Sequence, residues 1–304
     1  MTRERQYQIS EGAYYPCGRT AATVPPGFYD VHRSMQGYSL QPRTTVSDDL
    51  IDIPGTVADD VFSDIERFLA GKEEYARYGL THKRGYLFYG PPGSGKTSIG
   101  LMIAKRFVER VGGVVMYAGD YHQFTGGVGI MRDVEPGRPS MYLIEEADEI
   151  ADMTECLSIL DGELSIAGAV FVAMTNYKEK LPPRLSNRPG RFDRVILVNC
   201  PPEGVQMEYL RRVEARVGRD PSAPERIVRA LEGLPVSMAH LREAFIAHVL
   251  MRLPMEEVRA RFEQMAGEKS EEETVESAKG SSGECSCSGC PIHDSDDDDD
   301  GPVT

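Results

Sequence analysis

Gly85-Tyr86-Leu87-Phe88-Tyr89-Gly90-Pro91-Pro92-Gly93-Ser94-Gly95-Lys96-Thr97-Ser98 is the stretch that decides the fold. Its first half is apolar and aromatic, as a buried strand requires. Its second half places Gly90, Gly93 and Gly95 where a backbone can curl until its N–H groups converge on an anion. Pro92, Ser94 and Ser98 complete the run. Ile99, Met102, Ile103 and Phe107 then recur at helical spacing, so a helix follows and turns the positive end of its dipole toward the loop. Strand, glycine loop and helix in that order make a phosphate-binding loop. Lys96 is placed to reach the β- and γ-phosphates of a nucleotide, and the Thr97 hydroxyl to bind Mg²⁺.

Working outward, four more short apolar runs read as strands: Val114–Ala118, Met141–Ile144, Ala169–Met174 and Val195–Val198. With helical patterns between several of them, they imply a parallel sheet covered on both faces. Upstream, Val57–Leu69 has Val57, Val61, Phe62, Ile65, Phe68 and Leu69 at helical spacing. Further upstream, Gly27–His32 and Gly37–Gln41 read as two short strands bounded by turn residues. After Pro201-Pro202 the pattern is helical throughout: Val205–Val217, Glu225–Leu231, Met238–Arg252 and Met255–Met265. The expected fold is an α/β, P-loop NTPase parallel αβα sandwich with a small C-terminal helical lid and an N-terminal β-rich arm. Its expected parts are an arm or small module over residues 1–55, the core over 56–200, the lid over 201–266 and an acidic tail over 267–304.

Composition agrees with a soluble globular chain: 304 residues, 40% hydrophobic and 27% charged. The formal charge of −14 is concentrated in the tail. From Glu268 onward there are 12 acids and 2 lysines, a net of −10, so the body nets only −4. A nearly balanced body gives no electrostatic reason to expect nucleic acid, although a ring can hide a basic channel. No apolar run is long enough for a transmembrane helix. Met-Thr-Arg-Glu-Arg-Gln at the N-terminus lacks the apolar segment of a secretory leader, and the expectation is a cytoplasmic protein.

Three further constellations carry chemistry. Met141-Tyr142-Leu143-Ile144 leads into Glu145 and Glu146. The first acid would help order the Mg²⁺ shell and the second would polarise an attacking water. Asp is the usual first acid, and Glu145 is one methylene longer. Asp148, close behind, reads as a supporting or capping residue. Ala169–Met174 leads into Thr175-Asn176, where the Asn176 amide could stand between γ-phosphate and catalytic acid; a Thr-Asn pair after a strand is equally a plain turn. Asn187-Arg188-Pro189-Gly190-Arg191 sets two guanidiniums beside a Pro-Gly turn, suited to transferring phosphate or to ordinary surface ion pairs.

Together these residues resemble the AAA ATPases, the branch of the AAA+ superfamily with a second region of homology. Lys178–Arg194 is similar to the stretch that defines this branch, and the similarity runs from about Asp48 to Leu250. Tyr75–Leu80 and Gly85–Gly90 are especially like the mitochondrial complex III assembly ATPases and some bacterial and phage relatives, without the membrane anchor of the mitochondrial members. The resemblance implies that Asn176 is the sensor 1 residue. It implies that Arg188 and Arg191 are arginine fingers reaching the ATP of a neighbouring subunit, which requires a ring, usually a hexamer. Ser237–Leu241 resembles the lid segment where other AAA+ branches carry a sensor 2 arginine; Ala239 stands there instead, and neighbouring Arg242 is not assigned the role.

Two weaker signals remain. Phe124-Thr125-Gly126-Gly127-Val128-Gly129 is similar to the pore loop of membrane-bound AAA proteases, with the aromatic one place early. It reads equally as a glycine-rich connection with Phe124 packed inside. Cys285, Cys287, Cys290 and His293 offer four soft ligands for Zn²⁺, against which stand the short Cys-x-Cys step and the acidic, polar setting. The expected function is an ATP-hydrolysing, Mg²⁺-dependent motor that remodels an unknown protein or complex. The alternatives are a nucleic-acid-associated ATPase or loader and a nucleotide switch that barely turns over.

Overall fold

The computed structural model describes residues 6–10, 13–17, 20–35, 37–44, 50–51, 53–149, 159–160, 166–182 and 191–265. At its centre is a seven-stranded sheet. In chain order its strands are β3 (Gly27–Ser34), β4 (Gly37–Pro42), β5 (Lys83–Tyr89), β6 (Val114–Tyr117), β7 (Ser140–Ile144), β8 (Ala169–Thr175) and β9 (Arg194–Leu197). In space the order is β4-β3-β6-β7-β8-β5-β9. Every neighbouring pair is parallel except the β3–β4 hairpin. Two further strands, β1 (Gln6–Ser10) and β2 (Ala13–Cys17), pair with each other outside this sheet.

The complete burial of β6, β7 and β8 follows from helices on both faces. One face carries α1 (Val57–Ala70) and α3 (Lys96–Arg106), the latter extended by a π turn to Val111. From α1, Val61, Phe62, Ile65 and Phe68 pack with Ile103 and Phe107 onto Tyr86, Phe88, Val115, Val170 and Val172. An ion pair of 2.6 Å between Asp59 and Arg106 ties the two helices together. The short α2 (Lys72–Arg77) follows α1. The opposite face carries α4 (Tyr121–Val134), whose Phe124, Val128 and Met131 pack against Tyr29, Val31, Tyr142 and Phe171.

Residues 27–42 thus take the form of an arm built into the core. Gly27 to Asp30 pair in parallel with Val114 to Tyr117, and β4 becomes the outer edge. The glycine-rich segment from Phe124 to Gly129 is helical, not a loop. Asp120 caps it, accepting the Gln123 N–H at 2.7 Å. Phe124 is 1% exposed and meets the Tyr142 and Phe171 rings at 5.7 and 5.6 Å, so it packs inside and does not stand free as a pore-loop aromatic gripping a chain.

The lid consists of α5 (Glu203–Val217), α6 (Ala223–Ala230), α7 (Met238–Phe245) and a final helix over 255–265. Leu210, Ile227, Leu241, Phe245 and Phe262 form its own core, and Ile53, from before α1, inserts into it. Among the described residues no helix is long and apolar enough to cross a membrane. Cys285–His293 lies outside the described residues, as does Arg188.

Candidate active site

The phosphate loop follows β5 directly. Gly90 has φ 146°, and a Cβ there would stand 2.1 Å from the Val198 carbonyl oxygen, so only glycine lets the loop leave between β5 and β9. Gly93 and Gly95 have φ values of 75° and 102°, and Gly95 precedes the first turn of α3. Lys96 opens that helix and is only 7% exposed. Its Nζ donates to the carbonyls of Gly90 at 2.8 Å and Pro91 at 2.9 Å. Burial pulls the lysine's pKa down and the field of Asp148 opposes the shift. The Ser94 hydroxyl is buried with no hydrogen-bond partner among the described residues. A buried ammonium, an orphaned hydroxyl and a glycine-lined curl are a cradle that a phosphate chain fits.

Above the loop sits the lid. Ser237 caps α7, accepting the His240 N–H at 3.3 Å, while His240 Nδ1 accepts from the Ser237 N–H at 3.2 Å. This sets Ala239 N–H 3.4 Å from the Gly93 carbonyl. Between core and lid lies a cleft of about 950 Å³. Pro92, Gly93, Ser94, Gly95, Lys96, Thr97, Ser98 and Asn176 line it, so the loop and the expected sensor meet in one space. Ile51, Ile53, Val57, Tyr209, Met238 and Ile246 give it an apolar lining that suits a flat base. Sequence reasoning missed this lining, since an Ile-x-Ile pair before a helix carries no distinctive signal. Arg242 lines the same cleft.

Glu145 and Glu146 stand at the end of β7, one strand beyond β8 and outside the cleft's lining. Glu145 is half-buried. Burial raises its pKa, the Arg43 guanidinium lowers it and Glu146 raises it again. Arg43 comes from the end of β4, paired to Asp30 at 2.8 Å and lying 3.9 Å over the Tyr117 ring. Glu146 is exposed and has φ 49°, an uncommon conformation for a residue with a Cβ and one that clusters at functional sites.

Arg191 lies elsewhere. It is 5% exposed, and its carbonyl oxygen approaches Gly85, where a Cβ would stand 2.2 Å away. Asp193 locks this turn, its N–H donating to Gly85 O and its Oδ2 accepting the Gly85 N–H, both at 2.8 Å. Gly85 precedes Gly90 by five strand positions, roughly 16 Å. Arg191 is therefore at the opposite end of the sheet from its own phosphate loop.

Residues 86–200 match the family described as ATPase family associated with various cellular activities (AAA). The chain is 32% identical over 165 residues to the cell division cycle protein 48 homolog of Archaeoglobus fulgidus, covering 48% of this chain and 22% of that protein. It is 29% identical over 177 residues to the proteasome-activating nucleotidase of Methanococcus maripaludis, covering 50% and 42%. It is 29% identical over 203 residues to protein HYPER-SENSITIVITY-RELATED 4 of Arabidopsis thaliana, covering 59% and 35%. The chain thus spans less than half the length of each of these relatives.

Proposed function

With residues 86–200 forming an AAA domain as the premise, we propose that this chain is an ATPase that remodels a protein or protein complex as an oligomeric ring. The observation that carries the reading is the union of a glycine cradle, buried Lys96, Thr97 and Asn176 in one cleft. ATP is the substrate. Lys96 faces the β- and γ-phosphates, the apolar walls hold the base, and Glu146 orients the attacking water. Thr97 and Glu145 would hold Mg²⁺, which neutralises phosphate charge when bound. Asn176 steadies the water and the γ-phosphate between them.

Arg188 and Arg191 complete the neighbouring subunit's site in this reading. The remoteness of Arg191 from its own loop supports a role in trans. Arg191 is 5% exposed, so of the pair Arg188 is the one whose replacement tests the role in trans with less risk to the fold.

The decisive experiment is Glu146→Gln. This variant should bind ATP in calorimetry and lose turnover by about 10²-fold or more, because an amide cannot act as the base. Unaltered turnover would refute the reading. Assembly has its own test: specific activity should rise with protein concentration. Mixing Lys96→Ala with Arg188→Ala subunits should restore part of the activity that each lacks alone. A monomer by light scattering with full, concentration-independent turnover would remove the ring.

A further inference from the structure

Asn176 is the last of the cleft's polar groups to be positioned, and the residues on either side of it are tied down by a single hydroxyl. Thr175, the end of β8, is 1% exposed. Its Oγ1 donates to Asp148 Oδ1. The same oxygen accepts the Tyr177 N–H at 2.9 Å. A threonine hydroxyl has one proton. Committing it to Asp148 fixes the rotor and turns a lone pair toward Tyr177, so the turn closes around Asn176, which lines the cleft. A second tie lies one residue before Asp148. Ala147 N–H donates to the Met174 carbonyl at 2.8 Å, continuing the β7–β8 pairing past the end of β7. Glu145 and Glu146 immediately precede that tie.

From this geometry we propose that Asp148 is a positioning residue: through Thr175 it fixes the Asn176 turn in register with Glu145 and Glu146. The proposal rests on the reading of Asn176 and Glu146 as groups acting on ATP. It gives Asp148 a task that neither the loop nor the acid pair performs. The two strand ends carrying the amide and the acids become one braced unit, so Asn176 cannot drift without breaking a half-buried hydrogen bond. Asp148 also acts on Lys96 through its charge. That is a different role, and the amide variant separates the two.

The test uses the full chain and four variants: Asp148→Ala, Asp148→Asn, Thr175→Val and Thr175→Ser. Hydrogen exchange of the segment around Tyr177, measured without nucleotide, reads the brace directly. Asp148→Ala and Thr175→Val should each speed that exchange and lower kcat by about tenfold or more, the scale of a small misplacement near the chemistry. Nucleotide affinity of Thr175→Val in calorimetry should stay within about twofold, because that change leaves both the loop and the Asp148 charge in place. The double variant should be no worse than either single one, as expected for two ends of one bond. Asp148→Asn keeps an acceptor oxygen and Thr175→Ser keeps the hydroxyl, so both should stay near the parent in exchange and kcat. If Asp148→Asn falls as far as Asp148→Ala, charge is what matters and the proposal is overturned. Faster exchange in Asp148→Ala with unchanged kcat would overturn it too. Full turnover in Glu146→Gln would instead defeat the hydrolysis reading, and the exchange data would still report whether Asp148 braces the turn.

Discussion

Two glycine-rich runs adjoin the same sheet, and different forces put their glycines there. Between Gly90 and Gly95 all three glycines have positive φ, and Gly90 passes so close to Val198 that no Cβ fits. Between Gly126 and Gly129 the backbone is ordinary helix. There the demand is for space beside side chains. A Cβ at Gly126 would fall 2.3 Å from the Tyr38 ring, and one at Gly127 would fall 3.2 Å from both the Met116 sulfur and a Val31 methyl. At Gly129 nothing lies within 4 Å. The first run shapes a ligand site. The second lets α4 settle onto the β3–β4 hairpin and β6. In sequence both look like functional loops, and only the neighbours distinguish them.

Four substitutions break or sharpen this contrast, taken from the largest effect downward. Phe124→Ala should cost about 3–5 kcal/mol in denaturant unfolding, because it empties a space among Tyr142, Phe171 and Met131. A gripping aromatic would leave stability intact, so a small effect restores that role. Gly90→Ala should cost about 3 kcal/mol, from a backbone conformation foreign to alanine and a contact with a carbonyl that cannot move aside. Nucleotide binding should be lost with it; calorimetry and melting together would show whether loop and fold fail as one. Gly126→Ala should cost only about 1 kcal/mol, since Tyr38 is at the surface and can swing away while alanine favours the helix. Its nucleotide affinity should be unchanged. Gly129→Ala should stabilise by about 0.5–1 kcal/mol, a higher melting temperature being the check. Destabilisation there would mean that the second run answers to something besides packing.

Much of the core was legible because parallel strands buried on both faces must be continuous apolar runs, and Tyr86–Tyr89, Met141–Ile144 and Ala169–Met174 are such runs. The α4 helix was hidden by its glycines, which depress helix propensity. Asp120 as a cap, with Phe124, Val128 and Met131 at helical spacing, would have revealed it. The pairing of β3 with β6 was not legible. Alternation along Gly27–Ser34 marks a strand but does not name a partner at Val114, and such distant pairing is decided by the packed whole. At the site, the loop and Asn176 could be picked out from residue types, and both line the cleft. The burial of Arg191 and the bond from Thr175 to Asp148 could not, because each depends on how close two strand ends come.

The seating of β3 against β6 has a practical consequence for anyone trimming this chain. Residues 1–55 invite removal as an accessory arm. A fragment beginning at residue 56 would strip the cover from Val114–Tyr117, four buried residues whose free N–H and C=O groups would then form an open, apolar sheet edge. Such an edge is a template for strands from other molecules, so the shortened protein should self-associate on light scattering at concentrations where the full chain does not. It would also lose Arg43 from beside Glu145 and Ile53 from the lid. Clumping of that fragment would then be the signature of a severed sheet, not of a ring.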